Sequence, residues 1–281
     1  AAAPKEWVVF GAKETEECCK HFTFLGSNIP STDRYKYLGL WFKDTLNWDL
    51  HAEMMAAKGH KANANLKRFF TNRGIPARIR LEAFKTIVRP KIEYGNGLIY
   101  YNSKGSKLIE AVQQEALTMI LQCSKKASAW AVRGEGGVVR LSERRLAAKL
   151  RTWARIEDMK DSRLTKIVAN LHPVKTSIPG RTTQAWYRLA NEAFEAMDLS
   201  ADDYGELDYV EWKALIRNKL ERREGKAYRE ACKYEPKLRI QNIIKTHPKM
   251  EDWVGNRTMD SSDRIKLKLR LGTSGLRADT D

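Results

Sequence analysis

The sequence has few cysteines and histidines and no long apolar segment. These shortages argue against a disulfide scaffold, a metal site and a membrane span, respectively. The four cysteines, which include the adjacent pair Cys18 and Cys19, are too few for a disulfide scaffold and lie at no zinc-binding spacing. The five histidines also lack ligand spacing, and no glycine-rich phosphate loop occurs. No apolar run approaches the length of a membrane span. We therefore expect a reducing compartment and no metal, cofactor or membrane partner.

Positive charge is what the sequence has in excess. Its 281 residues include 51 lysines and arginines against 35 acidic residues, which gives a formal net charge of +16. Such a charge attracts polyanions, of which nucleic acids and anionic membrane surfaces are the common ones. The basic residues are spread over many segments instead of one amphipathic helix, which favours a nucleic acid.

The N-terminal part, residues 5–42, has the pattern of strands. Short apolar runs at 7–11 and 22–26 precede the stretch 35–42, where aromatic residues alternate with others around Gly39. This alternation predicts a strand, and the glycine within it suggests a bulge or a close approach by another backbone. We therefore expect a small antiparallel β meander, which needs helices over one face to be stable.

From Trp48 onwards the spacing of apolar residues becomes helical. The expected fold is thus mainly α with a small N-terminal β meander, an α+β class. Asn47 and Ser142 are the expected N-caps of two helices, and Pro90 should end or kink another. Further helices are predicted over 107–122, 182–197 and 208–224, and the glycine-rich segment 133–137 is the expected linker. The run 265–271, which alternates apolar and basic residues, fits a strand or a short basic helix equally well.

Several segments occur in an order that one protein family shares. They are KEWVVFG at 5–11, YKYLG at 35–39, residues 81–95 ending in RPKIEYG, residues 108–121, residues 141–160 and residues 269–276. This order resembles the C-terminal part of reverse transcriptases from non-LTR retrotransposons. The resemblance implies a palm end with the primer grip over 1–46, a thumb-like helical bundle over 47–132 and a C-terminal helical region over 133–281.

The resemblance also shows where this chain departs from the family. Polymerases of this kind hold two Mg²⁺ ions with paired aspartates that precede the lysine-led strand, and no such pair precedes Lys5 here. The zinc knuckle that often follows the Gly-Thr-Ser segment is not found before Asp281. We therefore expect no catalytic residue and no enzyme activity. Residues 1–5, with no initiator methionine, are typical of a processed or trimmed end.

One acidic pair imitates the catalytic motif. Asp202 and Asp203 follow Ala201, but they come after the thumb-like segment instead of before it. They lie between two helical patterns and close to Ser200, where aspartate commonly begins a helix. We predict a capping or solvent-exposed role for this pair.

Two basic segments are the candidate nucleic-acid interface. Segment 67–91 has eight basic residues and one acidic residue, and segment 140–166 has nine and four. Such densities suit phosphate contacts with salt-dependent affinity, and tyrosines beside a turn suit stacking on unpaired bases. Phe69, Phe70 and Trp153 lie on helical stripes and are expected in the core. The predicted nucleic-acid-binding residues are Lys36, Tyr37, Lys67, Arg68, Arg73, Arg78, Arg80, Lys85, Arg89, Lys91, Tyr100, Tyr101, Arg144, Arg151 and Arg155.

Three functions fit these observations. The preferred one is a non-catalytic RNA-binding protein derived from a reverse transcriptase. It would be a structural subunit of a ribonucleoprotein such as a mitochondrial ribosome, with RNA and other protein subunits as partners. The second is the thumb and C-terminal piece of an active reverse transcriptase whose fingers and palm lie elsewhere. The third is a protein–protein scaffold in which the charge serves solubility.

Overall fold

The computed structural model describes Val8 and residues 23–24, 27–171 and 186–273. Its strands are β1 Thr23–Phe24, β2 Ser27–Asn28, β3 Arg34–Tyr37 and β4 Leu40–Lys43. Its helices are α1 Asp49–Asn65, α2 Lys67–Phe70, α3 Ala77–Ala83, α4 Arg89–Ile92, α5 Ser103–Leu121, α6 Ala129–Gly136, α7 Leu141–Glu157, α8 Leu164–Leu171, α9 Trp186–Met197, α10 Asp202–Gly205, α11 Tyr209–Tyr234, α12 Arg239–Ile244, α13 Asp252–Gly255 and α14 Ser261–Arg270. The predicted fold class, mainly α with a small antiparallel β part, is confirmed. The run predicted at 7–11 lies, apart from Val8, outside the described residues.

The β structure of the described residues consists of two short antiparallel pairs, β1 with β2 and β3 with β4. The stretch 35–42 is a hairpin, and the prediction of one bulged strand is wrong. Leu38 and Gly39 form its two-residue loop, with φ of 46° and 86°. Positive φ at both loop residues is what a type I′ hairpin turn requires, so the glycine permits a reversal of the chain instead of a bulge.

Most of the helices surround one large hydrophobic core. Helices α1 and α5 cross closely at Gly59, where an added Cβ would lie 2.6 Å from Ile92 Cγ2 and from Val112 Cγ1. The core also contains Tyr228 and Leu271, and so draws residues from both sides of the predicted boundary at 132/133. A second, smaller core lies between α7, α9 and α11. The three-part division of the chain stays a prediction.

The segment 133–137, predicted as a linker, is for the most part the end of the buried helix α6. Its glycines allow close packing: a Cβ on Gly134 would lie 2.6 Å from Tyr228 Oη. Glu135 is fully buried and pairs with Lys245 at 3.0 Å and with Arg270 at 2.7 Å. The composition suggested a flexible connection, whereas the glycines here serve contact between helices.

Pro90 does not end its helix. Residues Phe84–Val88 form a π-helical turn between α3 and α4, and the helix continues through Pro90 to Ile92. A proline lacks the N–H for the helical hydrogen bond to the fourth residue before it. A wider π turn directly before the proline takes up this mismatch.

Other helix boundaries differ from the predictions by small amounts. Asn47 does not occupy the N-cap position of α1, although its Oδ1 accepts a hydrogen bond from the Asp49 N–H at 3.2 Å. Helix α7 begins at Leu141, with Arg140 in the N-cap position predicted for Ser142. The run 265–271 lies mostly in α14, with Leu267 and Leu271 buried, so the helical alternative is confirmed. Within the described residues, no helix is both long and apolar enough to cross a bilayer.

Candidate nucleic-acid interface

The tip of the β3–β4 hairpin lies beside an exposed aromatic residue from the end of α4. Tyr37 and Leu38 are 57% and 74% exposed, and Tyr94 is 50% exposed. The Tyr94 hydroxyl donates a hydrogen bond to the Leu38 carbonyl at 2.7 Å, and a Cβ on Gly39 would lie 2.9 Å from Tyr94 Cε1. The hairpin tip and Tyr94 therefore form one surface with two accessible tyrosine rings.

A buried histidine joins the hairpin to the backbone of Tyr94. The Trp41 N–H donates to His51 Nδ1 at 3.2 Å, and His51 Nε2 lies 3.5 Å from the Tyr94 carbonyl. Burial lowers the pKa of His51 and outweighs the effect of the carbonyl contact. The neutral ring, with its proton on Nε2, satisfies both neighbours, so His51 sets the position of the hairpin without presenting a charge to it.

Three of the predicted arginines follow one face of α7. Arg144, Arg151 and Arg155 are separated by seven and four residues, which places them along a single stripe. Arg89, from α4, joins this stripe through Glu93, which it approaches at 3.8 Å. Arg144 holds the same carboxylate with two hydrogen bonds, of 2.5 Å and 2.9 Å. We call these four arginines the arginine row.

The arginine row has more positive charge than its surroundings neutralise. Burial lowers the pKa of Arg89 and of Arg151, and in both cases the charge of Arg144 lowers it further. The negative charge of Glu93 raises the pKa of both arginines, but the pKa of each remains below its usual value. Because arginine stays protonated in proteins, the mutual repulsion remains, and an added anion such as a phosphate would relieve it.

The row and the tyrosine surface are neighbours because Glu93 and Tyr94 are consecutive. The turn after them packs on α7: a Cβ on Gly97 would meet Thr152 Oγ1 at 2.0 Å and the Ala148 carbonyl at 3.4 Å. At the far end of the row, Arg155 Nε donates to Tyr209 Oη at 2.8 Å. The hairpin, the end of α4 and α7 together form a continuous basic surface with exposed aromatic rings at one end.

Most basic residues of segment 67–91 are accessible. The exposed ones are Lys67, Arg68, Arg73, Arg78 and Lys91. Arg73 donates to Gln122 at 3.2 Å and Arg78 pairs with Asp252 at 3.5 Å, whereas Lys85 is partly covered and pairs with Glu82 at 2.8 Å. Lys36, on the hairpin, is exposed with its ammonium 5.9 Å from the centre of the Trp41 ring. These side chains can reach a phosphate without unfolding the protein.

Arg80 is an exception, and its predicted role as a phosphate contact is wrong. The side chain is 2% exposed, and its NH1 group donates to the Phe70 carbonyl at 2.7 Å. Burial lowers the pKa of Arg80 to about 10. The guanidinium completes the end of α2, where a backbone carbonyl has no partner of its own within the helix.

Tyr101 is also not the base-stacking residue that the sequence suggested. It is 6% exposed, stacks on His51 and has the Arg145 guanidinium 4.8 Å from its ring centre. Burial raises the pKa of Tyr101 to about 12. Tyr100 is partly exposed, with the Lys149 ammonium 5.7 Å from its ring centre. Phe70 and Trp153 are buried, as predicted.

The acidic pair that imitates a catalytic motif lies in the first turn of α10 and is exposed, which agrees with the solvent-exposed alternative of the prediction. Ser200 donates two hydrogen bonds to Asp203 Oδ2, from its N–H at 2.6 Å and its hydroxyl at 3.0 Å, and its hydroxyl accepts from the Asp203 N–H at 3.3 Å. These bonds lower the pKa of Asp203. Asp202 and Asp203 are exposed. Within the described ranges, no three His, Cys, Asp or Glu side chains group as a metal site would require.

The sequence alone indicates no role for two residues on which this surface depends, His51 and Glu93. His51 was one of five scattered histidines, and only its position opposite Trp41 shows its role. Glu93 was part of a motif, but its pair with Arg144 joins residues 51 positions apart, and only its pair with Arg89 is local. The turn at 94–97 was the one signal in the sequence that this region needs a tight backbone.

Compared with known proteins, the chain matches no family model, no curated protein and no solved structure.

Proposed function

We propose that this protein binds RNA as a subunit of a ribonucleoprotein, and that the hairpin and the arginine row hold one strand. The observation that carries the proposal is the arginine row, in which Glu93 pairs with Arg89 and Arg144 while Arg151 and Arg155 have no carboxylate partner among the described residues. Burial, and then the neighbouring charge of Arg144, lower the pKa of Arg89 and of Arg151, and a bound phosphate would offset the repulsion between these guanidiniums.

The chemistry of the two halves of the surface is complementary. Arginine binds phosphate oxygens through two parallel hydrogen bonds, so the row suits a backbone. Tyr37 and Tyr94 keep half or more of their surface accessible and can stack on bases. Stacking needs bases that are not paired, which favours a single strand or a loop over a regular duplex. RNA is preferred over DNA because the segments that build this surface resemble the primer grip and thumb of reverse transcriptases.

Salt dependence of binding tests the proposal. Affinity for a single-stranded RNA should fall as salt rises, by about 0.7 in the logarithmic slope for each phosphate contact. Replacing Arg144, Arg151 and Arg155 together by glutamine should reduce that slope by roughly two and weaken binding by at least about tenfold. The control replaces Arg217, Arg222 and Arg239 by glutamine, which removes the same charge. These three arginines are exposed and form no ion pair within the described residues. Equal losses in the two triple variants, or no binding at moderate salt, would contradict the proposal.

One observation favours a second function, as part of an active reverse transcriptase. The YKYLG motif forms the exposed tip of the hairpin, where a primer strand could be held. The two functions differ in what accompanies the chain in its source. Crosslinking in the native source, with sequencing of the attached RNA, distinguishes them. One defined site in a structured RNA supports the ribonucleoprotein, and a template with newly made DNA supports the polymerase.

A further inference from the structure

A cavity of about 320 Å³ lies where α5, α6 and the start of α7 meet. Its lining includes Lys107, Glu110 and Gln114 from α5, Arg133 from α6, and Ser142 from α7. The volume is at the lower end of the range of small-molecule sites, about 300–1,000 Å³. This volume has room for one planar ring system.

Three of the residues that line this cavity have a buried polar atom with no hydrogen-bond partner among the described residues. These atoms are Glu110 Oε2, Gln114 Oε1 and Arg133 Nε. Such atoms are uncommon in folded proteins, because burial without a partner loses the hydrogen bonds that water supplied. Arg133 is 7% exposed, so its guanidinium belongs to the wall of the cavity and not to the outer surface.

The unpartnered atoms form a definite chemical pattern. Glu110 and Gln114 are four residues apart on α5, so their two acceptor oxygens lie on one face of the helix. Glu110 Oε1 is already held by the Ser142 N–H at 2.9 Å, which fixes the carboxylate and leaves Oε2 for a ligand. Arg133 Nε adds one donor. A matching ligand therefore offers two neighbouring donors and one acceptor.

We infer that this cavity takes a single unpaired guanine of the bound RNA. The Watson–Crick edge of guanine carries N1–H and the N2 amino group as adjacent donors and O6 as an acceptor, and no other standard base has two adjacent donors there. The carboxylate and amide oxygens would accept from N1 and N2, and Arg133 would donate to O6. This inference rests on the proposed RNA binding.

The surroundings of the cavity suit an RNA strand as the source of the guanine. Lys107 is exposed and forms no ion pair within the described residues, so its ammonium can reach the phosphate of the same nucleotide. The start of α7 contributes to both sites on different faces of the helix: Ser142 lines the cavity, and Arg144, two residues later, belongs to the arginine row. Next to Arg144, the Arg145 NH2 group donates to Ser106, another lining residue, at 2.8 Å.

Two short RNAs that differ in one base test the inference. The full chain is titrated with the pentamers UUGUU and UUAUU, and with UUIUU, in which inosine lacks the N2 amino group. We expect UUGUU to bind roughly tenfold more tightly than UUAUU, since a well-formed pair of hydrogen bonds discriminates bases at this level. UUIUU should lose several-fold relative to UUGUU, and this comparison needs no protein variant.

A charge-matched pair of variants completes the test. Glu110→Gln should bring UUGUU to within about twofold of UUAUU and leave the affinity for UUAUU unchanged. Glu221→Gln, at an exposed position of α11, should keep the preference for guanine. Equal binding of all three pentamers by the unaltered protein would overturn the guanine site while the proposed RNA binding stands. Binding of none of them would overturn both.

Discussion

Acidification should loosen the hairpin, because His51 can hold it only as a neutral ring. The Trp41 N–H donates to His51 Nδ1, so a proton added at that atom would replace a hydrogen bond with two facing donors. His51 is fully buried, and burial lowers its pKa from the usual 6.5. The folded protein therefore resists a proton that the unfolded chain accepts.

The sign and size of the effect follow from this difference. Above about pH 7 the group is neutral in both states and has no effect on the free energy of unfolding. As the pH falls below 6.5, the usual value, the unfolded chain binds the proton first, and stability is lost until the folded-state pKa is reached. At pH 5.5 the loss from this one group is at most about 1.4 kcal/mol, which is the limit set by the unfolded state.

Denaturant unfolding of two proteins isolates this contribution. The free energy of unfolding is measured at pH 7.5 and 5.5 for the unaltered chain and for His51→Asn, whose amide oxygen can still accept from the Trp41 N–H. All other groups titrate in both proteins, so the unaltered chain should lose about 1 kcal/mol more than the variant. Hydrogen exchange at the Trp41 amide should speed up at pH 5.5 only in the unaltered chain, after correction for intrinsic exchange. The reasoning is refuted if both proteins show the same pH dependence.

Two further predictions concern the core. Gly59→Ala should destabilise the protein by about 1–3 kcal/mol, because the new Cβ meets Ile92 and Val112 at 2.6 Å, whereas Gly205→Ala, with no atom within 4 Å, should not. Thermal unfolding measures both, and a similar change in the two variants would show that the close crossing of α1 and α5 does not decide the effect, since helix propensity alone favours alanine at both positions. Glu135→Gln should cost about 3–5 kcal/mol, since it leaves Lys245 and Arg270 without their buried carboxylate. Glu230→Gln, in an exposed pair, should change the unfolding free energy by less than about 1 kcal/mol, and a small effect at Glu135 would mean that water reaches the network.

Periodicity was sufficient to predict the fold class and most helices, and the local sequence was sufficient to predict the exposed position of Asp202 and Asp203 at the start of a helix. These features depend on residues three or four positions apart, so local sequence contains them. Segment 265–271, which is helical, shows that periodicity alone does not always distinguish a strand from a helix. An alternating pattern fits a strand, but Leu267 and Leu271 are also four apart, and the reciprocal cap formed by Asp260 and Asp263 starts a helix.

Charge density was a poorer guide, because it does not show which side chains fold inward. Arg80 and Tyr101 are residue types that are common in nucleic-acid interfaces, yet both lie in the interior. Arg80 donates a hydrogen bond to a backbone carbonyl there, and Tyr101 stacks on His51. Segment 133–137 has the glycines of a linker and lies in the core. In each case the residue that buries the side chain or segment comes from another part of the chain, too far away in sequence for a local pattern to predict the contact.

The sequence by itself determined that this protein is mainly helical and strongly basic. Only the tertiary structure decided which charges remain accessible, since folding placed Glu93 between two arginines and set His51 beneath the hairpin. The physical reason is that burial and pairing are properties of neighbours in space. A guanidinium bound to a buried carbonyl, as at Arg80, is part of the scaffold, and a guanidinium that stays at the surface remains accessible to a ligand.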